Sequence, residues 1–316
     1  MKVLVTGGAG FIGSHLAERL ILDGCEVTVL DDLNDFYSPA LKRANLDAVR
    51  RAGPFEFHEA DICDGARMDA IFGQRRPEVV VHLAARAGVR PSIEQPLLYE
   101  RVNGHGTIAV LEAARRAGVG KFVFASSSSI YGATHSIPFR EDAYPHLPIS
   151  PYAATKLAGE AFCHTYSSLY GLSVVCLRLF TVYGPRQRPD LAIRKFAGGI
   201  ARGWPIPVYG DGSTSRDYTF VDDTIAGIVA AMHYDCAYET FNLGAGSPVP
   251  LMRLIELLEA AIGRKAILER HPDQPGDVPA TFADISKARR LLGYEPVTPI
   301  EKGIRLFVQW YQTEAL

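Results

Sequence analysis

The chain has 316 residues, and its hydrophobic content of 47% is enough for a sizeable core in one large domain or two ordinary ones. A formal net charge of −2 excludes a global basic field, so we expect neither nucleic acid nor a membrane surface as a partner. No apolar run approaches the roughly 18 residues of a membrane span, and glycines interrupt the first run, so we expect a cytoplasmic protein without a signal peptide.

The cysteines and histidines argue against metal binding. Five cysteines lie far apart in the sequence without a C-x-x-C pair, and the nine histidines lack the spacing of metal ligands. We therefore expect reduced, buried thiols, structural or solvated histidines, and no metal site.

The N-terminal stretch predicts a dinucleotide site. A short apolar strand, Lys2–Val5, runs into a glycine-rich loop, Thr6–Gly13, and then into a helix. Its glycines allow a tight turn, close approach of the backbone to a pyrophosphate, and close helix packing. A second strand, Glu26–Leu30, ends at Asp31, where a carboxylate would bind a ribose. Because no arginine stands beside this acid to hold a 2′-phosphate, NAD is favoured over NADP.

Strand and helix signals alternate through the first half of the chain. Continuous apolar strands separated by helical stretches predict a doubly wound α/β fold of the Rossmann type, with a parallel sheet covered on both faces and ligands beyond the carboxyl ends of its strands. The predicted strands are Val3–Val5, Val27–Leu30, Phe55–Phe57, Val79–Leu83, Phe122–Ala125 and Ser173–Phe180, and the predicted helices are Ser14–Leu22, Ala66–Phe72, Tyr99–Ala117 and Leu157–Tyr170.

Glycine and proline cluster after Phe180, and the alternation loosens there. This predicts a boundary between an NAD-binding domain of residues 1–180 and a smaller α/β substrate domain of residues 181–316. An amphipathic helix, Val221–Met232, lies in a segment of residues 217–243 that we expect to return to the first domain. Apolar periodicity predicts the remaining helices as Leu251–Ile262, Ile285–Leu292 and Pro299–Trp310.

The helix after Ser150 and Pro151 carries a possible proton-transfer pair. Tyr152 and Lys156 are one turn apart, so the hydroxyl and the ammonium should lie on one face. A cation within about 4–6 Å favours the phenolate, which predicts a lowered pKa and proton exchange with a sugar or alcohol hydroxyl. Alone the pair is weak evidence, because such residues are common on solvated helices.

Taken together, the Thr6–Gly13 loop and the Tyr152-x-x-x-Lys156 pair resemble the extended short-chain dehydrogenase/reductase family, specifically its NAD-dependent nucleotide-sugar epimerases and dehydratases. The likeness extends to Gln274–Val278. It implies NAD as cofactor, a UDP-linked sugar as substrate, and a homodimer formed through the helices at Tyr99–Ala117 and Pro151–Tyr170.

The resemblance also implies a set of cofactor-binding residues. Two of them have an equally good local interpretation: Asp61 could cap a helix, and Asn103 could be an exposed helical residue. The predicted cofactor site comprises Gly7, Gly10, Phe11, Ile12, Gly13, Asp31, Asn34, Asp61, Ile62, Leu83, Ala84, Ala85, Asn103, Tyr152 and Lys156.

The serines after the fifth strand distinguish between reactions. Alignment of Tyr131-Gly132 with the family pattern implies that Ser127 binds the sugar 4-hydroxyl and is catalytic together with Tyr152 and Lys156. Relatives that eliminate water carry Asp-Glu at the next two positions, because elimination needs an acid and a base. Here these positions are Ser128 and Ser129, which disfavours a dehydratase, and a decarboxylase of this family would usually carry a Glu.

Several segments are similar to UDP-glucuronate 4-epimerases: Thr181–Pro185 followed by Arg188–Asp190, then Asn34–Tyr37 and Ala87–Arg90. A sugar carboxylate buried in the site needs paired donors, which the hydroxyls of Ser128 and Thr181 and the guanidinium of Arg188 could supply. The family pattern further implies an arginine for the diphosphate and an aspartate for the nucleotide ribose. The predicted substrate-binding residues are Arg90, Ser128, Ser129, Thr181, Arg188, Arg216 and Asp277.

The resulting hypothesis is an isomerase that converts UDP-glucuronate to UDP-galacturonate. Hydride leaves C4 for NAD, and the transient 4-keto sugar takes it back on its other face. One alternative is a 4-epimerase of UDP-glucose or its N-acetyl analogue, because most of the motifs serve those sugars equally well. Another, from a different class, is a non-catalytic NAD-binding sensor or scaffold.

Overall fold

A computed structural model describes residues 1–132, 136–272 and 278–314 of the chain, and within them a seven-stranded parallel sheet forms the centre. The strands are β1 (Lys2–Thr6), β2 (Glu26–Asp31), β3 (Glu56–Glu59), β4 (Val79–His82), β5 (Lys121–Ser127), β6 (Ser173–Leu179), β7 (Thr181–Tyr183), β8 (Pro205–Tyr209), β9 (Ser215–Phe220), β10 (Tyr238–Leu243), β11 (Pro248–Pro250) and β12 (Ile267–His271). The order across the sheet is β10-β6-β5-β4-β1-β2-β3. The doubly wound α/β prediction is confirmed.

Twelve α-helices lie in the described part of the chain. They are α1 (Phe11–Leu22), α2 (Pro39–Ala52), α3 (Gly65–Arg75), α4 (Val89–Glu94), α5 (Pro96–Tyr99), α6 (Gly106–Ala117), α7 (Pro151–Tyr170), α8 (Ala192–Arg202), α9 (Val221–His233), α10 (Leu251–Ile262), α11 (Ser286–Leu292) and α12 (Ile300–Glu314). They pack on both faces of this sheet or, in the case of α8, α10 and α12, on the strands of the smaller sheets and on one another. In β1, Val3 and Val5 belong to the core on one face and Leu4 to the core on the other. Burial on both faces explains the continuous apolar strands.

The stretch predicted as one helix, Tyr99–Ala117, is divided. A π-helical segment, Glu100–His105, separates α5 from α6. Its wider turn brings Asn103 inward, where the side-chain amide exchanges hydrogen bonds with the backbone of Arg86 at 2.8 and 3.0 Å. Apolar periodicity does not reveal this single-turn change, because the flanking helices keep their spacing.

The last part of the chain crosses back to the central sheet. β10 pairs in parallel with β6, and α9 packs against α1. Two small sheets, β11-β9-β7 and β12-β8, lie beyond it in the described part of the chain. Because β7 follows β6 after one residue, Phe180, these sheets begin at the carboxyl edge of the central sheet. Among the described residues, no helix combines the length and apolar character that a membrane crossing requires.

Candidate active site

A cavity of about 450 Å³ opens at the carboxyl ends of the central strands. Its wall combines the glycine-rich loop, the residues that follow β2, β4, β5 and β6, and the first turns of α7. A smaller cavity of about 140 Å³ shares Val89, Ser128, Ser129 and Thr181 with the first, so the two adjoin. This is the edge at which a doubly wound sheet binds its ligands.

The glycine-rich loop is packed too tightly for side chains. Gly7 has φ +69°, and a Cβ there would lie 2.7 Å from the backbone nitrogen of Ala84. A Cβ on Gly13 would lie 2.2 Å from the Gly7 carbonyl oxygen. The loop therefore lies directly against the segment after β4. The first residues of α1, from Phe11 on, line the cavity, so the backbone N–H groups of this helix start can bind an anion there.

At the end of β2, Asp31 is buried and accepts hydrogen bonds from the backbone of Ala9 at 3.1 Å and Leu33 at 2.9 Å. Burial raises its pKa, and the Lys42 ammonium, 3.5 Å away, works in the opposite direction. Asn34 lines the cavity beside it. Lys42 was not predicted, because a lysine in a helical stretch gives no sign that it turns inward.

A directed chain of hydrogen bonds lies beneath the wall formed by Leu83, Ala84 and Ala85. The Ala84 N–H donates to Thr6 Oγ1 at 3.2 Å, and Thr6 Oγ1 lies 2.7 Å from His82 Nδ1. On the other side, His82 Nε2 lies 3.2 Å from Thr107 Oγ1, whose hydroxyl donates to the Asn103 carbonyl at 2.6 Å. Each hydroxyl has one proton, so His82 must carry its proton on Nε2. Burial lowers the pKa of His82 to about 3, which keeps the ring neutral.

Two predicted cofactor residues do not reach the cavity wall, although Ile62 does. The Asp61 carboxylate accepts from the Cys63 backbone at 2.8 Å and pairs with Arg101 at 3.5 Å, while Asp64 caps α3. Asn103 is buried behind the wall, where its amide also donates to Thr155 Oγ1 at 3.0 Å. It therefore supports the wall rather than forming it.

The three predicted catalytic residues meet on the wall. Ser150 caps α7 by accepting from the Ala153 N–H at 3.2 Å, which fixes where the helix starts. Tyr152 then lies on the same wall as Ser127 at the end of β5, close enough for this serine to lower the pKa of the phenol. Lys156 donates to the Ala125 carbonyl at 2.7 Å. The convergence of a strand end and a helix start therefore assembles the site.

The predicted lowering of the Tyr152 pKa is wrong. Burial raises the pKa of Tyr152, and the nearby Ser127 hydroxyl and the charge of Arg188 lower it only in part. Lys156 is occupied by the Ala125 carbonyl, and burial lowers its own pKa to about 8. Helical spacing placed the two groups correctly, but burial outweighs their attraction because it disfavours both charged forms.

The substrate-side residues are divided between the two cavities. Ser128, Ser129, Thr181 and Arg188 line the larger one, and Arg216 lines the smaller. Arg90 is on neither wall; its guanidinium stacks on the Tyr209 ring, 4.7 Å from the ring centre. The remaining predicted residue, Asp277, lies outside the described residues.

Comparison with known proteins identifies the family to which the chain belongs. A family model for GDP-mannose 4,6-dehydratase matches residues 4–307. The chain belongs to this family. A UDP-glucuronate 4-epimerase of Thermodesulfobacterium geofontis is 44% identical over 308 residues, which are 97% of this chain and 95% of that protein. The predicted relationship to nucleotide-sugar epimerases is thus confirmed.

Two solved structures of nucleotide-sugar epimerases match the chain over at least 99% of its length. The UDP-glucuronic acid 4-epimerase of Bacillus cereus, in complex with UDP-glucuronic acid and NAD, superimposes with a TM-score of 0.93, 36% identity and 99% coverage of both chains. The UDP-glucose 4-epimerase of Thermotoga maritima, with UDP-glucose, gives a TM-score of 0.93, 36% identity and 100% coverage of both.

Two aromatic residues of the site were also missed from the sequence. The Tyr99 ring packs edge-on against Tyr152 with centres 6.3 Å apart, and its hydroxyl donates to the Ala87 carbonyl at 2.7 Å. Phe36 lies on the cavity wall between two guanidinium groups, those of Arg86 at 5.9 Å and Arg188 at 5.5 Å from the ring centre. Both serve through contacts between segments distant in sequence, which no local pattern indicates.

Proposed function

We propose that this chain is an NAD-dependent isomerase that inverts C4 of a UDP-linked sugar, with UDP-glucuronate as substrate and UDP-galacturonate as product. The observation that carries the proposal is that Ser127, Tyr152 and Lys156 lie together on the wall of a cavity that the glycine-rich loop also lines. Relatives and structural neighbours with matching names support it. They also argue against the non-catalytic sensor.

The site fits NAD without a 2′-phosphate. A pyrophosphate can approach the glycine-rich backbone at Gly13, where a side chain would not fit. At the other end, Asp31 and Asp32 present two carboxylates to the ribose, and the Lys42 ammonium is already shared between them at 3.5 and 3.9 Å. An added phosphate would meet this negative pair at close range. A bound NAD would supply the acceptor for the C4 hydride and its donor on return.

Tyr152 and Ser127 are assigned the proton of the sugar 4-hydroxyl. The Ser127 hydroxyl lowers the pKa of the phenol, and by turning its proton towards the phenolate that accepts the sugar proton it can stabilise that form. Lys156, next to both, supplies a cation. The same three groups can return the proton after the 4-keto sugar has turned over.

Elimination of water is disfavoured by the position of the acids. Among the described wall residues of the two cavities, the carboxylates are Asp31 and Asp32. They follow β2, which is three strand spacings from β5, or about 14 Å from the Ser127 end of the site. No described carboxylate of the wall is therefore near the sugar, where a dehydratase needs its acid and base.

For the sugar carboxylate we assign the hydroxyls of Ser128 and Thr181 and the guanidinium of Arg188, which lie on one wall. Ser129 lines the same wall, and its hydroxyl oxygen accepts a hydrogen bond from the Ser127 hydroxyl at 3.1 Å. Arg216, in the adjoining cavity, is assigned to the diphosphate, because an arginine fork suits phosphate oxygens.

Division into an NAD-binding part, residues 1–180, and a substrate part, residues 181–316, remains part of the proposal, as do a cytoplasmic location and a homodimer. Leu169 and Tyr170, which are 66% and 52% exposed, lie on one of the helices expected at the dimer interface. Such exposure of large apolar side chains is consistent with a covered surface. Sedimentation of the purified protein decides the oligomeric state.

The decisive experiment follows UDP-glucuronate by NMR in the presence of enzyme and NAD. We expect UDP-galacturonate to appear. Tyr152→Phe should lower turnover by at least a thousandfold while leaving NAD binding and the melting temperature unchanged. Accumulation of a 4-keto-6-deoxy sugar, or full activity of the Tyr152→Phe variant, would contradict the proposal. Turnover of UDP-glucose but not UDP-glucuronate would favour the neutral-sugar alternative instead.

A further inference from the structure

The guanidinium assigned to the sugar carboxylate is already held by an acid of the same loop. Arg188 Nε and Nη2 each donate to one oxygen of Asp190 at 2.9 Å. This two-point contact occupies the side edge of the guanidinium, which is the edge that most often grips a carboxylate. Arg188 lines the cavity, whereas Asp190 does not. The end edge, with Nη1, therefore remains for a ligand.

The rest of the loop restricts Arg188 further. Its guanidinium lies over the Phe36 ring at 5.5 Å from the centre. Two residues earlier, Arg186 donates to Glu18 Oε2 at 2.6 Å, and Gln187 is buried with its amide directed at the Val182 carbonyl at 3.3 Å. These contacts hold the backbone before Arg188 to α1 and β7. The Phe36 ring covers one face of the Arg188 guanidinium, and Asp190 fixes how that group is rotated in its own plane.

We propose that Asp190 is a positioning residue that determines which edge of Arg188 meets the substrate, and thereby both the preference for an acidic sugar and its protection from loss of CO₂. The inference rests on the proposed function. Asp190 also balances the charge of Arg188, so this pair orients a hydrogen-bond donor towards the substrate without adding a full positive charge to the site.

Orientation matters because the 4-keto sugar is a β-keto acid. Loss of CO₂ breaks the C5–C6 bond, and its electron pair moves into the ketone to form an enolate. A proton then adds at C5, and return of the hydride to C4 gives a UDP-pentose plus CO₂. The bond breaks readily only when it stands perpendicular to the ketone plane. A carboxylate held by a fixed Nη1 edge cannot swing into that position.

The test is Asp190→Asn, which keeps the size of the side chain but removes the charge and one of the two acceptors. On UDP-glucuronate we expect kcat to fall about tenfold, KM to stay level or fall, and the UDP-pentose fraction to rise at least fivefold. Inhibition by UDP-glucose, which lacks the carboxylate, should be unchanged. A loss of fold would instead weaken UDP-glucose and NAD binding together.

The chain offers a matched control. Arg140 and Asp142 form the same two-point contact over the same spacing, at 3.0 and 3.0 Å, but on the surface. Asp142→Asn should leave every one of these quantities unchanged. On an Arg188→Ala background, Asp190→Asn should have no further effect, because it acts only through that guanidinium.

The outcomes separate the two proposals. An inactive wild-type enzyme on UDP-glucuronate would overturn the proposed function itself. If the wild type is active and Asp190→Asn matches it in kcat and in product, only the proposed role of Asp190 is overturned. The same conclusion follows if Asp190→Asn has an equal effect in the presence and in the absence of Arg188.

Discussion

Gly13→Ala tests the cofactor cradle by adding one carbon atom. That Cβ would lie 2.2 Å from the Gly7 carbonyl oxygen and 2.7 Å from Gly8 Cα, both backbone atoms that cannot rotate away. Ordinary contact begins at 3.4 Å, so the loop or the start of α1 must move by about 1.2 Å. A hydrogen bond of ordinary length does not survive such a shift.

Each backbone N–H bond to a charged phosphate contributes about 1.5–3 kcal/mol, so loss of one weakens binding by about tenfold to a hundredfold. We therefore expect the Kd for NAD, measured by calorimetry, to rise at least tenfold in Gly13→Ala. Strain in the loop should also lower the free energy of unfolding by about 1–3 kcal/mol.

Gly73→Ala is the matched control, since it is the same substitution within α3, where an added Cβ meets nothing within 4 Å. It should stabilise the protein by about 0.5–1 kcal/mol and leave NAD binding unchanged. Equal NAD affinity in Gly13→Ala and wild type would refute the assignment of this loop to the pyrophosphate.

Three further predictions concern buried charges. Burial lowers the pKa of Lys156 to about 8, so the stability that this residue contributes should be lost as pH falls through 8 and should grow as pH rises towards the ordinary lysine value. Denaturant unfolding of wild type and Lys156→Met at pH 7 and pH 10 tests this. The amount by which the wild type is less stable than Lys156→Met should be smaller at pH 10. His82 should remain neutral and protonated on Nε2 at pH 5, and ¹⁵N NMR showing an imidazolium there would contradict the hydrogen-bond directions. Glu160→Gln should lower the free energy of unfolding by about 3–5 kcal/mol, because Arg178, 1% exposed and bonded to Glu160 at 2.9 Å, would be left buried without its charged partner. Replacing both residues by apolar ones should recover much of this loss. No recovery would count against an unpaired buried charge as the cause.

The sequence predicts the residues of the site better than their electrostatics. Parallel strands end at one edge, so residues after β1, β2, β4 and β5 had to converge, and Tyr152 joins them because Ser150 and Pro151 start α7 there. The sign of the Tyr152 pKa shift was not predictable, since it depends on how much solvent the surrounding segments remove.

Roles that depend on distant contacts were also beyond local patterns. Asn103 looked like a ligand or an exposed residue, and its actual position depends on a single π-helical turn. Lys42 was not among the predicted site residues, and it is buried beside Asp31. The Arg188–Asp190 contact spans two positions in a loop, where the sequence shows two charges but not that their side chains meet.

Burial works against the charged groups that the chemistry needs. Burial raises the pKa of Tyr152 and lowers that of Lys156, so both groups are biased towards their neutral states. Proton abstraction from the sugar needs a phenolate, and a buried phenolate needs cations close to it. Lys156 and Arg188 supply part of this charge, but Arg188 is balanced by Asp190. Stabilisation of the phenolate therefore depends mainly on Lys156, which lies on the same wall as Tyr152.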